Sequence, residues 1–492
     1  MALRDKWPSR TAFIYAAIGS AVGLGNVWRY PYLAEKFGGG AFLIPYLIAL
    51  FVAGIPLLIL ELGLGQKIQK GTVDSLAAIK KKFSGVGWWI LFTSFIIISY
   101  YVVVMAWSLI YLFTSYGAQW SGDTQTYFFN NVLQLSESVD SIGGIVPAVF
   151  IALLISWIII YFSVWKGVKS VSKIVMITVP LPIILLIVLL IRAVTLDGAM
   201  TGITQYLTPN FNALFGPGSS AVWIAAFSQI FFSLSIALGI MMAYSSYNRK
   251  DSDINKNAFT IGITNSIISI VAGFVVFGTL GFMAEQQQVA VSEVVVSGPG
   301  LAFIMFPKAL SLMPFASFFS ILFFLMLITL AIDSAFSMVE AIDTTITDKT
   351  KMKKKHVALI VCTLGFLAGI MYTTNAGLYL LDIVDHFVIN ISLIVIGILE
   401  CIAVGWIFGA EKMRKYINKV SDFKIGEWWS TTIKYIIPLS LAIILALQLK
   451  TEFAANYGGY PDWAILIGWL FVLVPLVIAF LIPQKAIKAS RS

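Results

Sequence analysis

The run Ser20-Ala21-Val22-Gly23-Leu24-Gly25-Asn26-Val27-Trp28-Arg29-Tyr30-Pro31-Tyr32 lies inside the first apolar segment of the chain. A segment whose only task is to cross a bilayer has no use for two glycines, an asparagine and an arginine near mid-depth. Each glycine weakens a helix interior by roughly 1 kcal/mol. Bare backbone in hydrocarbon is costly unless it lines a cavity. A broken helix here frees backbone carbonyls beside an asparagine amide oxygen, which is the chemistry of a cation and small-solute site. The alternative is close helix packing through small residues. That accounts for glycines alone more easily than for glycines accompanied by Asn26 and Arg29.

A second interruption, Gln229-Ile230-Phe231-Phe232-Ser233-Leu234-Ser235-Ile236-Ala237-Leu238-Gly239, sits in another apolar segment five spans later. Membrane serines often only bond back to the preceding turn, which would account for Ser233 or Ser235 singly. Matched interruptions in two halves of a chain point instead to an inverted-repeat transporter with a central site. Further polar residues stand within apolar segments: Glu61, Asn265 with Ser269 four residues on, Asp333 with Ser334, Asp385 and Glu400. Ionisable residues at membrane depth are rare and usually functional. Asp333 has no cation among its sequence neighbours Leu325–Ile332 and Ala335–Phe336, so its carboxylate wants a bound ion.

The elements that must position these residues follow from composition. The 492 residues are 59% hydrophobic and only 12% charged, with a mean hydropathy of +0.90. That balance predicts an all-α polytopic membrane protein. Twelve transmembrane helices are expected, near 11–36, 40–69, 86–115, 143–164, 168–194, 219–247, 255–285, 312–346, 355–374, 378–409, 430–450 and 461–483. Basic residues alternate between loops. Arg4, Lys6 and Arg10, then Lys80–Lys82, Lys166 and Lys169, Arg249, Lys250 and Lys256, Lys349–Lys355, Lys412–Lys419 and Lys485–Arg491 fall on one side. Ser115–Gly144 and Val194–Ser219 have none. The positive-inside rule then predicts a multi-pass protein of the cell membrane with both termini cytoplasmic. The net charge of +9 is therefore topological and no nucleic acid partner is expected. The first ten residues are polar and the apolar run after them is too long for a signal peptide. Cys362 and Cys401 lie in apolar segments and suggest neither disulfide nor metal, and His356 and His386 are isolated. No polar constellation for an enzyme is visible. Residues 116–142 read as a solvated cap. Residues 284–312, with Gly298-Pro299-Gly300 and Phe306-Pro307, read as a hairpin dipping toward the centre or as a surface loop.

The chain resembles the neurotransmitter:sodium symporter family over essentially its whole length. The resemblance rests on Gly19–Tyr32, Gly38-Gly39-Gly40-Ala41-Phe42, Gln229–Gly239 and Ser245-Ser246-Tyr247-Asn248. It extends to Asn265-Ser266, Asp333-Ser334 and Trp406-Ile407-Phe408-Gly409. It implies a single transporter domain over 1–492 with the LeuT-type 5+5 inverted repeat and broken helices 1 and 6. Repeat one would run from about 11 to 194, repeat two from about 219 to 409, and helices 11 and 12 over about 430–483. It implies two Na+ sites. One would use the Ala21 carbonyl, Asn26, Ser233 and Asn265, the other the Gly19, Val22 and Leu330 carbonyls with Asp333 and Ser334. The substrate would lie among Ala21, Leu24, Gly25, Ile97, Tyr101, Phe232, Ser233, Ser235, Ala237, Leu238, Ser334 and Met338. Arg29 and Asp385, with Tyr101 and Phe232, would close the outside; Arg4, Trp7, Ser246, Tyr247 and Asp348 would close the inside. A static ion pair is the alternative for Arg29 and Asp385. Glu61 and Glu400 would brace the broken part of span 6.

The reading that results is a sodium-coupled secondary active symporter working by alternating access in the bilayer on a small zwitterionic substrate. A channel is a second class, though the polar residues cluster and form no continuous stripe. A non-transporting sensor is a third, opposed by short tails. Gly23 stands where monoamine-transporting members carry an aspartate, which suits a substrate bringing its own carboxylate. Apolar Ile97, Ala237, Leu238 and Met338 suit a small to medium neutral amino acid; osmolytes or non-alpha amino acids (β-alanine, GABA-like, betaine-like) are the alternative. Cl- is expected as a further ion at Tyr46, Gln229, Ser233 and Ser269, because chloride-independent members carry a glutamate at the position of Ser269. The bland alternative is that Ser269 bonds back along its own helix.

Overall fold

The computed structural model describes residues 5–120, 122–216, 218–294, 298–350 and 352–482. It is helical throughout, and among the described residues the only β pairings are two isolated bridges, Gly39 with Pro209 and Ile145 with Thr374. The helices are α1 (Arg10–Ala21), α2 (Leu24–Val27), α3 (Arg29–Lys36), α4 (Gly40–Ile68), α5 (Thr72–Ala77) and α6 (Ser84–Thr114). After them come α7 (Pro147–Val164), α8 (Val168–Thr178), α9 (Pro180–Val194), α10 (Ala199–Leu207), α11 (Ser220–Ser233) and α12 (Ile240–Ser245). The last are α13 (Ile254–Gln287), α14 (Phe306–Ser311), α15 (Ala316–Lys349), α16 (Lys354–Gly369), α17 (Gly377–Val420), α18 (Glu427–Gly459) and α19 (Asp462–Leu481).

Ten helices among the described residues are long and apolar enough to cross a membrane, and α1 with α2–α3 makes an eleventh span bent by 60° at its break. The protein is thus a polytopic membrane protein. The expected span over 219–247 is two shorter helices, α11 and α12, with irregular backbone from 234 to 239 between them. Neither reaches spanning length alone, because the polar interruption ends each of them. The span expected over 378–409 runs on to Val420, bending at Gly409, whose φ of +95° only glycine adopts freely.

Burial sorts the bundle. The most apolar window of Lys81–Thr114 is 83% buried and that of Ile254–Gln287 is 78%, whereas that of Asp462–Leu481 is 22%. A helix that is apolar all round and still exposed must face lipid, so α6 and α13 form the centre and α19 the rim. Small-residue packing does explain glycines away from the centre. A Cβ on Gly65 would fall 2.1 Å from the Met242 carbonyl oxygen, and one on Gly202 would fall 1.9 Å from that of Phe277. The stretch 301–310 is buried apart from Lys308, and Phe303 stacks between Phe128 and Phe324. Residues 301–310 therefore lie within the bundle, as the inward-dipping reading of 284–312 expects, and 295–297 lie outside the described residues.

Candidate functional site

The break in the first span has a local cause. The Gly23 amide, which would otherwise continue α1 by donating to Gly19, donates to Asn26 Oδ1 at 2.9 Å. The Leu24 amide donates to the Tyr101 hydroxyl at 3.4 Å, and the Asn26 amide to the Gly23 carbonyl at 3.1 Å. The i+4 donors for the carbonyls of Gly19, Ser20 and Val22 are thus engaged elsewhere, and those carbonyls are released at the end of α1. Ser235 Oγ takes the Ser20 carbonyl at 2.8 Å.

The irregular segment from 234 to 239 is held from three sides. Ala237 N–H donates to Glu61 Oε1 at 2.8 Å, Ser94 Oγ donates to the Leu238 carbonyl at 2.8 Å, and Thr72 Oγ1 to the Gly239 carbonyl at 3.1 Å. Ser235, Ala237 and Gly239 all have positive φ, of +54°, +63° and +72°. Two of these are not glycine, so the backbone is strained where it is unwound and persists only because its polar groups are held. Glu61 lies against α12's approach as a brace, and the Glu400 carboxyl faces it. Ser94 and Thr72 escape sequence reading, since lone hydroxyls in apolar helices ordinarily bond within their own turn.

Both breaks face one cavity of about 30 Å³. Ala21, Leu24, Gly25, Ile97, Tyr101, Phe232, Ser233, Ser235, Leu238, Ser334 and Met338 line it, together with Ser20, Gly23, Asn26 and Ile240. Ala237, expected among them, is absent from the lining; its left-handed backbone turns its amide to Glu61 instead. A Cβ on Gly23 would meet Ser334 Oγ at 2.8 Å and the Tyr101 hydroxyl at 3.0 Å, so no aspartate fits there without moving both. The space holds about two waters and must widen for an amino-acid-sized solute.

Three polar clusters adjoin the cavity. In the first, Asn26 Nδ2 donates to Asn265 Oδ1 at 2.8 Å and to Ser269 Oγ at 2.7 Å, and Asn265 Nδ2 donates to Ser233 Oγ at 3.0 Å. Asn26, Ser233 and Asn265 are therefore brought together, but the Asn26 carbonyl oxygen is engaged by Gly23 and that of Asn265 by Asn26. In the second, Asp333, 1% exposed, abuts the end of α1: a Cβ on Gly19 would lie 2.8 Å from Asp333 Oδ2. Gly19, Val22, Leu330 and Asp333 line one small space, and Ser334 Oγ is 3.4 Å from the Ser20 carbonyl. In the third, the Tyr46 hydroxyl donates to Ser266 Oγ at 3.2 Å and faces the hydroxyls of Ser233 and Ser269. Gln229 Nε2 donates to the Gly25 carbonyl at 3.3 Å, and its buried Oε1 has no partner. Ser269 Oγ donates back to the Asn265 carbonyl at 3.2 Å, as the bland alternative has it, while also accepting from Asn26.

The two ends of the cavity differ. Toward Trp7 a network of hydrogen bonds adjoins a recess of about 320 Å³ lined by Trp7, Arg10, Phe13 and Tyr247 among others. Trp7 Nε1 donates to the Tyr244 carbonyl at 2.8 Å and its amide to the Tyr247 carbonyl at 3.2 Å. Lys354 Nζ donates to the Tyr247 hydroxyl and to Glu340 Oε1, both at 2.6 Å. Ser246 Oγ donates to the Ala243 carbonyl at 2.5 Å, and Asp348 Oδ2 accepts from the Gly71 amide at 2.7 Å. Arg4 lies outside the described residues. Toward Arg29 a vestibule of about 500 Å³ reaches down to Phe232. Arg29 and Asp385 both line it, and no ion pair within 4.0 Å joins them among the described residues, so they do not form the static ion pair that was the alternative to a gate. The Tyr100 hydroxyl donates to Asp385 Oδ1 at 2.7 Å, and Arg29 stands over the Phe232 ring, 5.1 Å from its centroid.

A family model described as the sodium:neurotransmitter symporter family matches residues 4–124 and 118–489. An uncharacterized sodium-dependent transporter of Methanocaldococcus jannaschii is 42% identical over 488 residues, covering 99% of each chain. The sodium- and chloride-dependent taurine transporter of Rattus norvegicus is 36% identical over 532 residues, covering 97% of this chain and 84% of the relative. The sodium- and chloride-dependent GABA transporter 2 of the same species is 36% identical over 520 residues, covering 96% and 85%.

Proposed function

The chain belongs to the sodium:neurotransmitter symporter family, and we propose that it couples inward sodium movement to uptake of a small zwitterion by alternating access. It is a sodium-dependent membrane transporter and not an enzyme. One observation carries the fuller reading: a buried carboxylate, Asp333, abuts Gly19 in the last turn of α1 and lines one space with Val22 and Leu330, beside a cavity bounded by the second break. Oxygen-only sets of this kind suit a hard monovalent cation. The first cation would lie among Ala21, Asn26, Ser233 and Asn265, after Asn26 and Asn265 turn their carbonyl oxygens inward. The second would lie among Gly19, Val22, Leu330, Asp333 and Ser334. Moving one charge through 100 mV supplies ~2.3 kcal/mol, so two cations give substantial concentrating power. The substrate carboxylate would meet the α2 amides and Tyr101, and its amino group the released carbonyls of 234–239. The two five-span repeats, 11–194 and 219–409, and cytoplasmic termini complete this reading, with the vestibule facing outward.

The experiment is uptake into proteoliposomes. Asp333→Asn removes a full anionic ligand and should raise the half-saturating sodium concentration at normal expression; an unchanged sodium dependence would remove Asp333 from the site. A small to medium neutral amino acid suits the apolar Ile97, Leu238 and Met338 walls. The taurine and GABA relatives favour a second reading, a non-alpha amino acid or osmolyte. Sodium-dependent binding of the twenty amino acids, taurine, GABA, β-alanine and betaine separates the two. Chloride would sit at Tyr46, Gln229, Ser233 and Ser269, where hydroxyls converge near two cations. A buried anion is tolerable only with such donors and positive charge. Replacing chloride by gluconate should lower uptake, and Ser269→Glu should restore it; full activity of the unaltered protein without chloride overturns this assignment.

A further inference from the structure

Asp333 presents its two oxygens to different partners. Oδ2 points at Gly19, the last turn of α1 before the break. Oδ1 is 2.5 Å from the hydroxyl of Thr178, a residue that no sequence argument singles out. Thr178 is the last residue of α8, and Pro180, which has no amide hydrogen to donate, opens α9. The Thr178 hydroxyl also lies 3.1 Å from the Ile174 carbonyl, the usual back-bond of a helical threonine. A hydroxyl has one hydrogen, and the shorter contact to a carboxylate takes it. The next residue is part of the same contact: a Cβ on Gly19 would lie 2.7 Å from Val179 Cγ2. The junction of α8 and α9 therefore touches both the carboxylate and the backbone that flank the second cation position.

We propose that Thr178 is a positioning residue for the second sodium ion, engaging Asp333 Oδ1 so that Oδ2 stays directed at Gly19 in the last turn of α1. This rests on the reading of Asp333 as a cation ligand. Without the hydroxyl the carboxylate is free to rotate about its last torsion and present neither oxygen in a fixed direction. The pre-ordering is then lost from the sodium affinity, while the apolar packing of α8 stays. A hydrogen bond to a charged group is worth enough to move an equilibrium by about tenfold.

The test is sodium titration of thermal stability of the purified protein in detergent, with choline holding ionic strength constant, together with sodium-dependent uptake. Thr178→Val, nearly isosteric, should raise the half-saturating sodium concentration for stabilisation about tenfold, measured as the sodium-dependent rise above the variant's own melting temperature in choline. Thr178→Ser keeps the hydroxyl and should stay close to the unaltered protein. If Ser and Val shift the sodium dependence equally, the methyl group and not the hydroxyl matters, and the proposal fails. In an Asp333→Asn background, Thr178→Val should add nothing. An Asp333→Asn protein with unchanged sodium dependence overturns the site itself. A shifted Asp333→Asn protein beside an unshifted Thr178→Val protein overturns only the role of Thr178. Should Thr178→Val not fold, Thr178→Ala, which removes the hydroxyl and relieves crowding, carries the same expectation.

Discussion

The two ends of the central cavity close by different means. On the Trp7 side, backbone carbonyls, an indole, two tyrosines and a buried Lys354–Glu340 pair form one connected network joining the segment before α1, α12 with the residues just after it, α15 and α16. On the Arg29 side the Phe232 ring, with Tyr101 and Gly25 beside it, lies between the cavity and a vestibule of about 500 Å³, and the oppositely charged Arg29 and Asp385 stand apart across it. The network is hard to open because each polar group would be left buried without its partner. The ring is easy to move because it is held mainly by apolar contact and one cation–π approach. The Arg29 end therefore costs less to open than the Trp7 end.

The strongest way to break this comparison is to fill the Arg29 end. A Cβ on Gly25 already meets Phe232 Cε1 at 2.7 Å, so Gly25→Val should drive the ring aside and abolish substrate binding while the protein purifies normally. Equilibrium binding on the folded variant checks it, and normal uptake would move the pocket elsewhere. Next in size is the Trp7 end. Lys354→Met leaves Glu340, 0% exposed, without its cation. Unpairing a buried charge costs about 3 kcal/mol, so melting temperature should fall and cysteines introduced at the cavity should react from the Trp7 side. The smallest effect is expected at Asp385→Ala. No ion pair is lost there, only an acceptor for Tyr100, so the melting temperature should change little. On the proposed gating role of the Arg29–Asp385 pair, transport should nevertheless fall. A loss of stability as large as that of Lys354→Met would mean that the Arg29 end is held as firmly as the other.

Much of this site is legible in sequence because its residues advertise a conflict. Gly23, Gly25, Asn26 and Asp333 cannot be content in an uninterrupted apolar helix, so their presence alone signals a break and a ligand. Thr72, Ser94 and Thr178 carry no such signal, because a hydroxyl can satisfy itself on its own helix. Only packing decides that Ser94 and Thr72 hold carbonyls of the segment from 234 to 239 and that Thr178 meets Asp333. Glu340 and Lys354, adjacent to the expected inner gate, were hidden for a different reason: they are fourteen positions apart, on separate helices, and pair only once α15 and α16 pack.

The sequence by itself determined that the chain is a helical membrane protein, where its spans lie and which two of them are interrupted. Those properties follow from hydropathy and from the local cost of glycine and polar groups in hydrocarbon. Tertiary structure alone decided that the two interruptions face one cavity, that the Ala237 amide donates to Glu61, and that Arg29 and Asp385 remain apart. Each of these is a distance between residues far apart in the chain. Such distances are set by how whole helices pack, and no local preference encodes them.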